Sequence, residues 1–386
     1  MPIRLGGRGA RAVGEVSPRP FLGRISTDAA RCGPTEIWLA QGGDLPAGFR
    51  AYLLTAAPLT PAVPRDSYVL APEFAYLSDG DIIRIEPARG ALHTLYRRSS
   101  RSNSLLVTER CNNDCVMCSQ PPKARDDSWI VDDLMQAIPL MSPGTPEIGI
   151  TGGEPTLLGP RLVELVQQLR DHLPGTAVHV LSNGRGFAHG DLARMLAGLR
   201  HPDLMIGIPL YADVPAHHDY VVQARGAFDE TIRGILNLKR HGVRVELRFV
   251  IHAETYAGLP AFARFVVRNL LFVDHVALMG LELMGFARTN LDALWIDPLD
   301  YQCELQDAVE TLDRAGLRVS IYNTPLCVLT PTLHRFARAA ISDWKNMYFE
   351  ECDGCALRVQ CGGFFASSAV RRSRGIARVA SGYLST

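Results

Sequence analysis

The sequence predicts an α/β protein: a partial, TIM-like (β/α)6 barrel with a small β-rich module before it and a cysteine-rich extension after it. Three observations lead there. From residue 104 onward, short apolar stretches alternate with amphipathic ones. Before about residue 100, the apolar stretches are short and broken by Gly and Pro. Six of the nine cysteines fall in two clusters, 111–118 and 352–361.

Composition sets the bounds. The 386 residues suffice for one large domain with one or two small ones. A content of 47% hydrophobic and 21% charged residues suits a chain that buries its own core without staples. Lys+Arg and Asp+Glu both number 40, so nucleic acid is not favoured as a partner. No apolar run reaches membrane-spanning length, and the Gly- and Arg-rich first twenty residues lack the apolar stretch of a secretory signal. A cytoplasmic, reducing location is the expectation, and there clustered cysteines argue for metal sites rather than disulfides.

Residues 1–100 read as the β-rich module. Its stretches 37–40 and 52–55 are bounded by Gly and Pro, and the alternating Ile82-Ile83-Arg84-Ile85 with the turn at Arg89-Gly90 predicts a hairpin over 81–97. Residues 101–290 read as the barrel, with strands at 105–107, 148–150, 178–181, 205–210, 245–251 and 276–279. Helices are expected at 160–173, 191–199, 227–242 and 259–269. Such repeats imply a parallel sheet with right-handed crossovers and place the working loops at the strands' C-terminal ends. Residues 291–370 read as the extension, with a helix over 298–315 and a strand over 319–322. Residues 371–386, with four arginines, read as a loose basic tail.

The chemistry is concentrated after the first barrel strand, in Cys111-Asn-Asn-Asp-Cys115-Val-Met-Cys118. Thiolates are the standard ligands of iron–sulfur cubes. Three on one short loop hold three irons of a [4Fe–4S] cube and leave the fourth open to chelate the amino and carboxylate groups of S-adenosylmethionine (SAM). The competing reading is structural zinc, which wants four closed ligands and has no fourth Cys or His near this loop. After the second strand, Gly152 and Gly153 let backbone approach a ligand closely, and the Glu154 carboxylate can accept from an ammonium. After the third, Ser182 and Asn183 can bond ribose hydroxyls or a carboxylate, or simply form an Asn-Gly turn. Tyr211 and Asp213, His252 and Glu254, and Glu282 and Met284 follow the next three strands as rim or packing residues that make the mouth polar. Adjacent His217, His218 and Asp219 read as a solvated loop rather than a metal pair, and Cys32 as a buried thiol.

The triad followed by Gly-Gly-Glu-Pro resembles the radical SAM superfamily over about 104–285. The resemblance implies that Cys111, Cys115 and Cys118 ligate the catalytic cluster and that Gly152, Gly153 and Glu154 hold the SAM amino group. Met117, where the family often has an aromatic residue, packs against adenine in the same picture. The stretches Leu106-Val-Thr-Glu-Arg-Cys111, Cys118-Ser-Gln-Pro-Pro122, Leu181-Ser-Asn-Gly-Arg185, Asp219-Tyr-Val-Val-Gln-Ala224, Met279-Gly-Leu-Glu282, Ser342-Asp-Trp-Lys-Asn346 and Cys361-Gly-Gly-Phe-Phe365 resemble the His-Xaa-Ser system radical SAM maturase of the HxsC type. That resemblance implies a ribosomally made peptide substrate with His-Xaa-Ser repeats. It also implies a second radical SAM maturase, a small accessory protein, and an electron donor such as flavodoxin or ferredoxin.

Cys352-x2-Cys355-x5-Cys361, with Cys327 upstream, makes a closed four-thiolate site for a cube or for zinc. Cys303 is a competing fourth ligand. The spacing resembles the auxiliary-cluster (SPASM or twitch) regions of peptide-modifying enzymes, and Phe365 stands where the longer version has another cysteine, so one auxiliary [4Fe–4S] cluster is expected. Three functions compete: a peptide-modifying radical enzyme, a small-molecule enzyme on the same scaffold, and an inactive scaffold that recruits a partner maturase.

Overall fold

The computed structural model describes residues 5–42, 45–57, 63–339 and 347–380. The stretch 342–346 quoted above and residues 381–386 of the expected tail lie outside them. The chain packs as two compact units, one of residues 1–107, 128–149 and 164–178, the other of 108–127, 150–163 and 179–386.

In the first unit, strands β1 (Gly6–Arg8), β2 (Ala10–Val13), β3 (Phe21–Ser26), β4 (Gly33–Ala40), β5 (Phe49–Leu54), β6 (Ser67–Leu70), β7 (Ile82–Glu86) and β8 (Ala91–Tyr96) form one sheet in the order β1-β8-β7-β3-β4-β5-β6-β2. β1 and β2 are successive stretches of one extended segment, so both edges of the sheet meet on it and are covered. Gly9, between them, faces the Phe74 ring so closely that a side chain there would collide with it. Inside lie Ile25, Ile37, Leu53, Tyr68, Phe74, Ile83, Ile85 and Leu92. The β7–β8 hairpin expected over 81–97 is present. Cys32 is exposed, at the turn into β4, and not the buried thiol its residue type suggested.

A seven-stranded sheet carries the site. Its strands β9 (Ser102–Leu106), β10 (Glu147–Thr151), β11 (Ala177–Leu181), β12 (Leu204–Pro209), β13 (Arg244–Ile251), β14 (His275–Gly280) and β15 (Val319–Tyr322) lie in chain order in a curled parallel half-barrel. The crossovers carry helices α1 (Ser128–Ala137), α2 (Pro160–His172), α3 (Asp191–Gly198), α4 (Pro215–Val222), α5 (Ala227–Arg240) and α6 (Leu259–Asn269); α7 (Gly285–Thr289), α8 (Leu291–Leu294) and α9 (Gln302–Arg314) follow β14. The helix expected over 298–315 is thus a single tight turn, Pro298–Tyr301, running into α9.

The strands read as predicted because their residues alternate. In β13, Val245, Leu247, Phe249 and Ile251 are buried against helices, with the Phe249 ring 4.7 Å from Phe262 of α6. Glu246 and Arg248 point the other way, to the concave face. α5 shows the helical counterpart: Phe228, Thr231, Gly234, Ile235 and Leu238 are buried, with Asp229 and Glu230 in its first turn and Lys239 and Arg240 in its last, as the helix dipole favours. Gly234 is required there, since a Cβ would run into the Gly184 carbonyl. That contact seats the loop after β11.

α4 was not expected. His217, His218 and Asp219 are helical and not a solvated loop. His218 is 1% exposed. Its Nδ1 accepts from the Tyr211 N–H at 3.3 Å, and its ring stacks on Tyr211 at 5.9 Å. Nor are residues 371–380 loose. Ser373 Oγ donates to Asp297 at 2.5 Å, the Arg374 N–H to the same carboxylate at 2.9 Å, and the Ala356 N–H to the Val379 carbonyl at 3.0 Å.

Candidate active site

The triad loop leaves the C-terminal end of β9 and is braced at its root. Asp127, 1% exposed at its side chain, accepts from Thr108 Oγ1 at 2.8 Å and from the Glu109 N–H at 2.5 Å, and pairs with Arg110 at 3.3 Å. Glu109 in turn pairs with Lys123 and Arg125 on the loop's far limb. Buried acceptors that collect several donors fix backbone geometry. All three thiols are partly buried. Burial pushes Cys111 up to about 11 and Cys115 up to about 12, with the neighbouring triad thiols adding to the rise. The Asn113 N–H points at Cys111 Sγ from 3.4 Å. Without a cation these thiols keep their protons; iron would displace them. Among the described residues no three His, Cys, Asp or Glu side chains converge on a single metal ion, and a cube, whose thiolates sit on separate irons, does not require it.

Gly152 and Gly153 sit where the β10 end passes the β9 end. A Cβ on either would strike main chain, at the Thr108 and Arg110 carbonyls respectively. The Gly153 N–H donates to Thr108 O at 2.8 Å and the Glu154 N–H to Arg110 O at 2.7 Å. The glycines therefore serve approach of backbone to backbone at the loop's base.

Glu154 is 0% exposed. Its carboxylate accepts from Thr156 N–H (2.9 Å), Thr156 Oγ1 (2.6 Å), Ser182 Oγ (2.7 Å) and Asn183 N–H (2.6 Å). Burial drives its pKa up, and these four donors only partly offset that. Asn183 Nδ2 donates to Asn112 Oδ1 at 2.6 Å. Ser182 and Asn183, read either as ligand contacts or as an Asn-Gly turn, are engaged with Glu154 and the triad loop.

Met117 and Tyr211 are 6% and 7% exposed and pack together with Val221, Val222, Ala287 and Leu294, against Cys115 and Val116. Burial lifts the Tyr211 phenol well above its ordinary range. His252 is fully buried, and neither ring nitrogen has a hydrogen-bond partner among the described residues. Burial holds it down to about 4. Asp213 and Glu282 are half-buried; Glu254 and Met284 are exposed at the rim.

One feature escaped the sequence reading. On the concave face, Glu246 accepts from His275 Nδ1 at 2.6 Å and from Arg248 at 2.9 Å, with His179 Nε2 at 3.5 Å. His275 Nε2 lies 2.9 Å from Ser320 Oγ. Burial alone would raise Glu246, but His275, Arg248 and His179 bring it down to about 2. The alternation Arg244, Glu246, Arg248 against Val245, Leu247, Phe249 was the available signal for a polar barrel interior.

Of the remaining cysteines, Cys327, Cys352, Cys355 and Cys361 line one small cavity with Tyr348, Arg358 and Phe364. Burial raises the Cys327 thiol, with Cys361 and Cys352 adding to it. Cys303 is exposed on α9 and is not among that cavity's lining residues.

Residues 105–266 match the sequence model of the Radical SAM superfamily. The chain carries a radical SAM domain. The curated relatives include the Fe-coproporphyrin III synthase of Methanosarcina barkeri (strain Fusaro / DSM 804), 30% identical over 166 residues, 40% of this chain and 38% of that one. They also include the GTP 3',8-cyclase of Xanthomonas campestris pv. campestris (strain B100), 27% identical over 197 residues, 46% and 56% of the two chains. The chain spans about half the length of the curated relatives it matches. Among solved structures, Streptococcus suis SuiB bound to S-adenosylmethionine superposes with a TM-score of 0.51 at 12% identity, over 74% of this chain and 77% of that one. This is a likeness of fold. No helix among the described residues is long and apolar enough to cross a membrane.

Proposed function

We propose that the chain cleaves SAM reductively at a [4Fe–4S] cluster held by Cys111, Cys115 and Cys118, and uses the resulting radical to modify a ribosomally made peptide. The observation that carries the SAM-cleaving reading is the triad loop at the C-terminal end of β9, braced through Asp127 and backed by the glycines of β10. The three thiols are a fit donor set for a cube with one open iron. When bound, the cluster would pass one electron to SAM, releasing methionine and a 5'-deoxyadenosyl radical that takes a hydrogen atom from the substrate. The chain's own residues hold the loop, bury the thiols in part, and wall the site with Met117, Tyr211, Val221 and Val222.

The peptide reading rests on the sequence resemblance, which recurs along most of the chain beyond residue 100. With it come a His-Xaa-Ser repeat peptide, a second maturase, an accessory protein and a flavodoxin or ferredoxin as electron donor. The cavity lined by Cys327, Cys352, Cys355 and Cys361 supports a second, auxiliary cluster, held by thiols alone and suited to accept the electron left when a substrate radical is oxidised. Small-molecule chemistry is the second reading. The names of the two curated relatives favour it, one a GTP cyclase and one a coproporphyrin synthase.

The test is anaerobic reconstitution with iron and sulfide, then SAM and a strong reductant, with 5'-deoxyadenosine and methionine quantified. Cleavage by the parent and none by Cys111→Ala is expected; equal rates overturn the assignment. Adding a His-Xaa-Ser repeat peptide and following its mass, with solvent deuterium uptake in the same run, separates the two substrate readings.

A further inference from the structure

Arg185 lies just past β11, in the tight turn Arg185–Phe187, and its side chain is 15% exposed. It reaches the triad loop. Nη1 donates to the Asn112 carbonyl at 2.6 Å and to Asn113 Oδ1 at 2.7 Å. Nε pairs with Glu230, in the first turn of α5, at 2.6 Å. The Arg185 N–H donates to Asn183 Oδ1 at 3.0 Å, and Asn183 Nδ2 to Asn112 Oδ1 at 2.6 Å. Three side-chain hydrogen bonds therefore staple the loop after β11 to the two residues that follow Cys111. One of those residues, Asn113, supplies the N–H that points at Cys111 Sγ.

We propose that Arg185 is a positioning residue for the catalytic cluster: it orders the 111–118 loop before metal arrives, aims the Asn113 amide at the Cys111 sulfur, and sets a fixed positive charge beside the cluster. The inference rests on the reading of 111–118 as a cluster loop. The guanidinium suits the task because its planar fork satisfies a carbonyl and an amide oxygen with one arm while the other side stays paired to Glu230. N–H donation to a ligand sulfur and a nearby cation both stabilise the reduced cluster, which carries the extra negative charge. Arg185 therefore acts on the ease of reduction as well as on loop order.

Two measurements test this on the full chain. The first is hydrogen–deuterium exchange of the metal-free protein. Arg185→Gln is expected to speed exchange across 111–118 by about tenfold or more, the consequence of losing a charge-assisted hydrogen bond, while α5 and β13 exchange at the parent rate. The second is an EPR-monitored redox titration after reconstitution. Arg185→Gln is expected to keep its iron but to show a more negative midpoint. Arg185→Lys, which keeps the charge but not the fork, is expected to recover the midpoint more fully than the exchange protection. Parent-like exchange of 111–118 in Arg185→Gln overturns the ordering role, and an unmoved midpoint in a fully loaded variant overturns the electrostatic one. If Arg185→Gln loses protection in α5 as well, Arg185→Lys is read in its place: parent-like exchange of 111–118 in it overturns the ordering role, and a midpoint as negative as that of Arg185→Gln overturns the electrostatic one. A parent that binds no iron at the triad overturns the cluster reading instead, and the metal-free exchange result still decides whether Arg185 holds the loop.

Discussion

Gly153→Ala tests the idea that the two glycines after β10 exist for backbone approach at the triad's root. A Cβ built on Gly153 lies 2.5 Å from the Arg110 carbonyl carbon, nearer still to its oxygen, and 3.0 Å from the Glu109 carbonyl carbon. Carbon atoms pack at about 3.5–4.0 Å, so the strand ends must part by about 1 Å. All three nearest atoms are main chain, so no side chain can swing away to make room. Parting by that much takes the Gly153-to-Thr108 and Glu154-to-Arg110 bonds, now 2.8 and 2.7 Å, beyond hydrogen-bond range. Two lost bonds at about 1 kcal/mol each, with about 2 kcal/mol of steric strain, predict a loss of about 4 kcal/mol. Arg110 precedes Cys111, so the same shift misplaces the first ligand. The assay is chemical denaturation of the metal-free protein, with iron per chain measured after reconstitution. Gly198→Ala is the control, because nothing lies within 4 Å of its Cβ and it closes α3. There a methyl should be neutral or stabilise by up to about 1 kcal/mol. If Gly153→Ala unfolds within about 0.5 kcal/mol of the parent and binds its full iron, the close-approach argument is wrong.

Two further outcomes are expected. Cys327→Ala should lose about four of about eight reconstituted irons, and Cys303→Ala none, because only Cys327 lines the cavity with the other three thiols; iron analysis of both variants decides between them. Stability should fall as pH drops from 6.5 toward 4. His179, His218 and His252 are held by burial to about 4, against 6.5 in the unfolded chain, so over that window the unfolded state takes up protons the folded state refuses. Each contributes a loss of about 1.4 kcal/mol per pH unit, and denaturation midpoints at pH 7 and pH 5 that coincide would refute it.

The barrel strands were legible because a sheet covered by helices on one face and concave on the other writes an alternation into its residues. α5, α6 and α9 were legible because an apolar stripe recurs at helical spacing. α4 was not, since Val214, His218, Val221 and Val222 spread apolar and polar positions around the helix, and His218 is buried through ring contacts with Tyr211 and Phe228 and one hydrogen bond that no local pattern records. The triad was plain from spacing. Which cysteine completes the downstream set was not, because Cys303 and Cys327 are equivalent along the chain and are separated only by where α9 and β15 send them. Arg185 stood in a quoted stretch, yet its reach to Asn112 and Asn113 depends on how two loops, far apart in sequence, are brought together.

Glu154 shows where a motif's residue types are legible and their work is not. The sequence offered its carboxylate to a ligand ammonium. In the fold it sits beneath the loops, taking four donors from Thr156, Ser182 and Asn183. Through Asn183 it bears on Asn112, and so on the triad. A carboxylate is needed because four convergent donors must meet acceptor lone pairs alone. Glu154→Gln puts an N–H among those donors, leaving at least one buried donor unanswered, at about 1–3 kcal/mol. The metal-free variant should therefore unfold at lower denaturant than the parent and exchange faster across 111–118 as well as 182–185. A carboxylate whose only work was to meet SAM would leave the metal-free protein as stable as the parent, and that result would return Glu154 to the role its sequence context suggested.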